Sequence, residues 1–289
     1  MKAVILAAGR GTRMHPITDV MPKHLIPFVG KPFLIHTLER MLPYFEEVII
    51  IVGYLKEQII QTVQQYFPDA NIRFLEQAKP LGTGDAAKYA QPYVDDYFFL
   101  MHGDVCLEEQ AFEDLSKMNR ATCTIIEVED PENHHQVEYS NESITKFYGK
   151  STSVDAGAWV LPTRVFDYLQ EQPKSGELRI LKAISQLLEE GEPIEAYHLN
   201  PPWLQFGDHS GIPGVLEVMR YFLEIDGHEH EPIENDSSGN TIVDSDVQVE
   251  AKNCEIRESL VFGGGKVSNC EFKDTVIFCI NHSNNKSIR

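Results

Sequence analysis

Residues 2–13 read KAVILAAGRGTR: an unbroken apolar run that includes Val4 and Ile5, then two glycines around an arginine. A short apolar run closed by glycine predicts a buried strand, of the kind that lies in a parallel sheet covered on both faces. The next stretch is punctuated by Gly9, Gly11, Pro16, Pro22, Pro27, Gly30 and Pro32 and reads as one long loop. Compact domains keep loops of that length for function.

Outward from this strand the chain alternates. PFLIHTLERMLPYF (32–45) sets Leu34, Leu38, Met41 and Leu42 at helical spacing, with Pro32 suited to the first turn. EVIIIVG (47–53) reads as strand, KEQIIQTVQQYF (56–67) as helix, NIRFLEQ (71–77) as strand and GTGDAAKYAQ (82–91) as a short helix. DDYFFLMHGD (95–104) is a strand whose polar end is Gly103-Asp104. This rhythm predicts an α/β fold, a Rossmann-like and mostly parallel sheet with ligands at the carboxyl ends of its strands. Residues 121–160 are richer in strand; LRILKAISQLLEEG (178–191) returns to helix, IEAYHL (194–199) to strand, and residues 210–225 to a closing helix. Residues 1–225 thus form the main domain and the polar stretch 226–240 a linker. In residues 241–289, NCEIRESLVF (253–262) and NCEFKDTVIF (269–278) repeat sixteen residues apart. That predicts coils of a short β-helix, with Cys254 and Cys270 stacked, or else two ordinary strands.

Composition excludes several classes. A formal net charge of −19 argues against nucleic-acid binding, which needs Lys and Arg against phosphates. Yet residues 1–40 hold Lys2, Arg10, Arg13, Lys23, Lys31 and Arg40 against only Asp19 and Glu39, a locally basic segment suited to a small polyanion. No apolar run is long enough to cross a membrane, and MKAVILAAGRG is too short for a signal peptide. The five cysteines form no CxxC pair, so neither a disulfide framework nor a zinc site is expected, and a cytoplasmic protein with reduced thiols is.

The loop after the first strand is neither a Walker A loop nor a dinucleotide fingerprint, because the lysine and third glycine those motifs require are missing. It still joins backbone N–H groups at Gly9 and Gly11 to the planar fork of Arg13 and the point charge of Lys23, a set that could hold a triphosphate.

LAAGRGTRMHPITDVMPKHLIPFVGKP (6–32) closely resembles the signature loop of the nucleotide-sugar pyrophosphorylases: GxGTR at Gly9–Arg13, then Pro16-Ile17-Thr18, then Pro22-Lys23. EQAKPLGTGDA (76–86), HGDV (102–105), DAGAWVLP (155–162) and WLQFGD (203–208) are similar, in order, to that family's base-recognition, metal-binding, sugar-side and late metal-binding segments. The repeat region resembles the left-handed β-helix of many members, cut short. The resemblance implies a sugar-1-phosphate nucleotidyltransferase with its catalytic domain in residues 1–225. It would join a nucleoside triphosphate to a sugar 1-phosphate with Mg²⁺ and release pyrophosphate. Leu6, Ala7, Gly9, Gly11 and Thr12 would surround the nucleotide. Arg13 and Lys23 would grip the triphosphate and act catalytically. Gln77 and Gly82 would read a base edge, leaning toward UTP or dTTP. Asp104 would hold Mg²⁺; Lys150 and Glu177 would meet the sugar phosphate. An attacking sugar phosphate is already largely dianionic at neutral pH, so positioning and charge neutralisation suffice.

Three positions depart from the family's pattern. Gly149-Lys150-Ser151 stands where Glu-Lys-Pro is usual, so a Glu that contacts sugar hydroxyls is missing. Gln136 stands where a glycine is usual. Gln205 replaces a second metal-ligating Asp, for which Asp208 is the candidate substitute. These keep open a non-sugar acceptor such as inositol phosphate or phosphocholine, and a non-catalytic regulatory relative. Plainer roles also stand: Asp104 as a turn former, Gln77 as an exposed strand residue, Lys150 as a surface lysine, and Glu177 as a helix-start carboxylate near Ser175. His134, His135, His228 and His230 read as solvated, Trp159 as core and Trp203 as core or pocket wall. The short repeat region leaves an end to cover, so a homo-oligomer is expected.

Overall fold

A computed structural model of the chain describes residues 1–15, 17–28, 31–170, 176–200 and 203–205, together with the backbone of short strands between 242 and 278. The expected closing helix 210–225, the linker 226–240, Asp208, His228, His230, Pro16, Ser175, Cys254, Cys270 and Cys279 lie outside the described residues.

The chain opens with β1 (Ala3–Ala7) and a small hairpin of β2 (Pro27–Phe28) and β3 (Lys31–Pro32). It continues through α1 (Phe33–Met41), β4 (Val48–Val52), α2 (Lys56–Tyr66), β5 (Ile72–Glu76) and α3 (Thr83–Lys88). Then come β6 (Tyr97–His102), β7 (Val105–Cys106), α4 (Glu109–Ser116), β8 (Thr122–Glu127), β9 (Val137–Ser140) and β10 (Ser143–Phe147). β11 (Ser153–Pro162), α5 (Ile180–Glu189), β12 (Glu195–His198) and β13 (Leu204–Gln205) follow.

The central sheet has nine strands in the order β5-β4-β1-β6-β11-β8-β12-β10-β9. β4, β5, β6, β8, β12 and β9 run with β1, while β11 and β10 run against it. The mostly parallel sheet read from the alternation is therefore present. Its strands are apolar on both faces and divide their side chains with period two. Val4, Leu6, Ile49, Ile51, Phe98, Leu100 and Trp159 face one core, with α3, α5 and the 3-10 segment Thr163–Leu169. Ala3, Ile5, Ala7, Val48, Ile50, Val52, Phe99 and Met101 face the other, with α1, α2 and α4. Trp159 is fully buried, as its sequence context predicts.

Chain order reverses at β1. The chain steps outward to β4 and β5, then returns to the other flank of β1 with β6. Ligands bind outside strand carboxyl ends at such a reversal. The long loop expected here is not structureless. It holds single 3-10 turns at Thr12–Met14, Ile17–Asp19 and Lys23–Leu25, because Met14, Ile17 and Leu25 are buried and pin each turn to the domain. Prolines allow one turn and prevent a longer helix.

Beyond residue 241 the backbone strands are β14 (Ile242–Val243), β15 (Val249–Lys252), β16 (Glu255–Arg257), β17 (Leu260–Phe262), β18 (Gly265–Ser268), β19 (Glu271–Lys273) and β20 (Val276–Phe278). β15 pairs with β18, β16 with β19 and β17 with β20, all parallel, matching Val249 to Gly265, Glu255 to Glu271 and Leu260 to Val276. The sixteen-residue repeat is thus the register of the ladders. Among the described residues no helix is long and apolar enough to cross a membrane.

Candidate active site

Four strand ends meet at the reversal. β1 ends in Ala8-Gly9, β4 in Gly53-Tyr54, β5 at Gln77 and β6 in the Gly103-Asp104 turn. The Gly103 N–H donates to Leu6 O at 3.0 Å, and the Tyr54 N–H to Ala8 O at 3.2 Å. These bonds tie the ends into one rim. Above it Met14 is anchored in the core while Thr12 and Arg13 stay exposed. Arg10 stacks over the Tyr54 ring at 5.2 Å. A Cβ placed on Gly9 would meet nothing within 4 Å, so the backbone there is open to a ligand. The Thr18 hydroxyl donates to Gly11 O at 2.9 Å, and the Lys23 stem lies 3.3 Å from where a Cβ of Gly11 would stand.

That contact aims the Lys23 ammonium across the cleft onto Asp104, with which it forms an ion pair and hydrogen bond. The two side chains are only 14% and 9% exposed. Burial alone would raise the Asp104 carboxyl, but the charge and hydrogen bond of Lys23 hold it below the usual carboxylate range. Asp104 is therefore a buried carboxylate in the turn between β6 and β7, paired with the Lys23 of the loop after β1. His24 is 1% exposed, with Nδ1 unpartnered among the described residues. Burial, with Lys23 beside it, lowers His24 to about 3, so it stays neutral. Burial likewise lowers His102, whose ring meets Trp159 edge-on at 5.1 Å.

β13 pairs antiparallel with β7, setting Gln205 opposite Val105, one residue from Asp104. The two positions read as metal-binding segments thus come together although about a hundred residues separate them. A single carboxylate with an amide oxygen nearby suits Mg²⁺, which commonly takes one or two carboxylates plus substrate phosphates and waters. Among the described residues no cluster of three or more His, Cys, Asp or Glu could form an all-protein cage.

The segment 76–86 also closes on itself. Gln77 is 6% exposed and lies beyond the end of β5, which corrects its reading as an exposed strand residue. Its amide nitrogen donates to Gly82 O at 3.1 Å and to the Asp85 carboxylate at 2.8 Å. Glu177 is corrected as well. Helix α5 begins at Ile180 with no acidic residue in its first turn, so Glu177 is no helix-start carboxylate. It lies instead against Gly82, where an added Cβ would come 2.8 Å from Glu177 Cβ. The Leu178 N–H donates to Leu81 O at 2.9 Å and the Gly84 N–H to Leu178 O at 2.7 Å, which staples the two segments together.

The far wall holds groups that sequence patterns did not single out. Asp155, at the start of β11, accepts hydrogen bonds from the Gly157 N–H at 3.3 Å and the Cys123 thiol at 3.6 Å. Burial pushes its carboxyl up to about 7 against those bonds. Tyr148, raised by burial and by Asp155 and lowered by Arg179, shows that these three share the wall. The only sequence signal was a carboxylate at the start of an otherwise apolar strand. His135 packs edge-on against Tyr148 at 5.4 Å, and half-buried His134 against Trp203 at 5.6 Å; His134 is therefore not simply solvated. The Trp203 indole N–H donates to Ala156 O at 2.9 Å, making Trp203 part of this wall. Lys150 is exposed. Cys106 and Cys123 are buried free thiols.

Asp155 gives a pH prediction. Its folded pKa of about 7 lies above the ordinary 3.8, so the folded state holds a proton that the unfolded chain releases. The associated stability is present below the ordinary value and is lost as pH rises to about 7. Asp155→Asn should therefore gain on wild type between pH 4 and 8 by on the order of 2 kcal/mol, discounted for partial exposure. Urea unfolding of both proteins at the two pH values reads this; parallel stability profiles would refute it.

A strand-end rim with an open glycine backbone, an arginine, and a lysine set on a buried carboxylate has the chemistry that suits a phosphate ligand on an α/β fold. Over residues 2–217 the chain matches the family described as nucleotidyl transferase, and it belongs to that family. It is 34% identical over 257 residues to the "Bifunctional protein GlmU" of Methanococcus maripaludis, covering 84% of this chain and 60% of that one. The chain thus spans 60% of the length of that relative. It is 26% identical to the mannose-1-phosphate guanyltransferase of Schizosaccharomyces pombe, over 88% of this chain and 74% of the relative. A UDP-glucose pyrophosphorylase structure from Acinetobacter baumanii shares the fold with a TM-score of 0.65, at 22% identity, covering 77% of this chain and 93% of that one.

Proposed function

We propose that the chain is a sugar-1-phosphate nucleotidyltransferase that transfers a nucleotidyl group from a nucleoside triphosphate to a sugar 1-phosphate and releases pyrophosphate. The observation that carries this reading is the Lys23–Asp104 pair beneath the Gly9–Arg13 loop. It places a cation for phosphate and a carboxylate for a divalent metal a hydrogen bond apart. Arg13 and Lys23 would hold the triphosphate and offset charge on the departing pyrophosphate. Asp104, with Gln205 and either Asp208 or water, would hold Mg²⁺, whose chemistry is to offset phosphate charge. The acceptor phosphate needs no general base. Catalysis then rests on holding two anions in line.

Gln77 bears on the nucleotide preference. Both donors of its amide are engaged by Gly82 and Asp85, which leaves the amide oxygen to accept from a base. That oxygen can accept the N–H that uracil and thymine present between two carbonyl groups; an amino group of another base fits the same acceptor, so the leaning toward UTP or dTTP rests on the family resemblance of the 76–86 segment. Residues 1–225 would be the catalytic domain. The in-register ladders beyond residue 241 support a short left-handed β-helix.

A pyrophosphate-release assay over four nucleoside triphosphates and a panel of acceptor phosphates, with and without Mg²⁺, tests the reading. UTP or dTTP should lead, and Gln77→Leu should cut that preference by roughly tenfold or more, the value of one buried hydrogen bond. No release with any pair, beside tight nucleotide binding, would instead identify a regulatory relative.

A further inference from the structure

The turn Gly149–Ser151 is held by β9 and the residue before it. The Gly149 N–H donates to Gln136 O at 3.3 Å, the Lys150 N–H to Glu138 Oε1 at 2.8 Å, and the Ser151 N–H to the Gln136 side-chain Oε1 at 3.2 Å. Three successive amides are thus captured by two residues. The Glu138 side chain lies directly across Gly149, where a Cβ would stand 2.4 Å from Glu138 Oε1 and 2.6 Å from its Cγ and Cδ. The Glu138 carboxylate thus occupies the space that a side chain at 149 would take, and it would have to swing aside to admit one.

Stapling a turn does not require a charge. Gln136 serves the same turn with a neutral amide. Yet Glu138 is half-buried, uses one carboxylate oxygen on the Lys150 amide, and makes no ion pair among the described residues. The exposed Lys150 ammonium likewise has no ion pair there. A carboxylate and an ammonium that leave each other free at one lip are suited to a ligand bearing both a phosphate and hydroxyl groups. The lip adjoins the cleft. Tyr148, the residue before Gly149, lies against His135 and is felt by Asp155 and Arg179; Arg179 follows the Glu177-Leu178 segment stapled to Gly82.

We propose that Glu138, reaching over Gly149 from β9, accepts hydrogen bonds from hydroxyl groups of the sugar phosphate and helps set acceptor specificity. This rests on the reading of the chain as a nucleotidyltransferase for sugar phosphates. Carboxylate–hydroxyl bonds are charge-assisted, so losing the charge should weaken acceptor binding by roughly tenfold to a hundredfold.

The test uses the full chain, with glucose, mannose and N-acetylglucosamine 1-phosphates as acceptors. Glu138→Gln keeps an oxygen for the Lys150 amide. It should raise KM for the best acceptor by that factor and leave KM for UTP within twofold. An unchanged acceptor KM in Glu138→Gln, or a KM for UTP raised by as much as the acceptor KM, overturns the proposal. If wild type releases no pyrophosphate, the enzymatic reading fails on its own, and calorimetry with UDP-glucose then decides this one. Weaker binding by Glu138→Gln supports it; equal binding, or none by wild type, overturns it.

Discussion

Replacing Lys23 with alanine is expected to lower turnover by roughly a hundredfold to a thousandfold, the usual effect of removing one group that stabilises transition-state charge. It should also destabilise the free protein. Asp104 is 9% exposed at the side chain and pairs with Lys23, so the variant leaves a buried carboxylate without its cation. Breaking a buried pair on one side costs about 3 kcal/mol or more. Two further measurements separate this from a general loss of packing. Adding Asp104→Asn to Lys23→Ala should recover much of the lost stability, because the unpaired charge disappears. Mg²⁺ should raise the thermal midpoint of Lys23→Ala more than that of wild type, since Lys23 no longer competes for Asp104. If Lys23→Ala unfolds at the same urea concentration as wild type and Mg²⁺ shifts both equally, the pair is not holding Asp104. In the free protein, then, Lys23 and Asp104 satisfy each other. Under the proposed function, nucleotide with its metal would exchange both partners together.

Gly82→Ala is expected to be the most damaging single-methyl change in the described structure. Gly82 has φ 111° and ψ 172°, a region that side-chain-bearing residues essentially never occupy, and forcing one there costs about 1–3 kcal/mol. The added Cβ would also stand 2.3 Å from Leu178 O and 2.8 Å from Leu178 N. Those are backbone atoms tied to Leu81 and Gly84, so they cannot swing aside as a flexible side chain would. With the clash included, a loss of about 3–5 kcal/mol in urea unfolding is expected. Gly82 O also accepts from Gln77, so the Gln77 amide should shift; under the proposed function UTP affinity should then fall at least roughly tenfold. Gly9→Ala is the control: its Cβ meets nothing within 4 Å, and stability should stay within about 0.5 kcal/mol of wild type. Gly82→Ala unfolding with wild-type stability would show that the Leu81–Leu178 staple yields easily.

The sheet and the glycine-rich loop after β1 were legible in the chain because their signals are local. Val4, Ile5 and Leu6 mark a strand buried on both faces, and the closing glycines mark where it must turn. The sixteen-residue repeat was legible for the same reason, and it reappears as the match of Glu255 to Glu271. The Gly9–Arg13 loop announced its charge chemistry through residue types alone. Gln77 and Glu177 were harder. Each has an innocuous local role, and only the approach of residues 81–84 to 177–178 removes it. His134 read as polar and therefore solvated, although Trp203, nearly seventy residues away, half-covers it.

Sequence by itself determined the alternation of strands and helices, the polyanion-suited loop after β1 and the repeat register, because each depends on periodicity or on residue chemistry within a few positions. Tertiary structure alone decided that Lys23 meets Asp104, that Asp155 titrates near neutrality, and that Glu138 lies in the space beside Gly149. These depend on burial and on distances between residues far apart in the chain, and no local pattern encodes which buried group a given side chain will face.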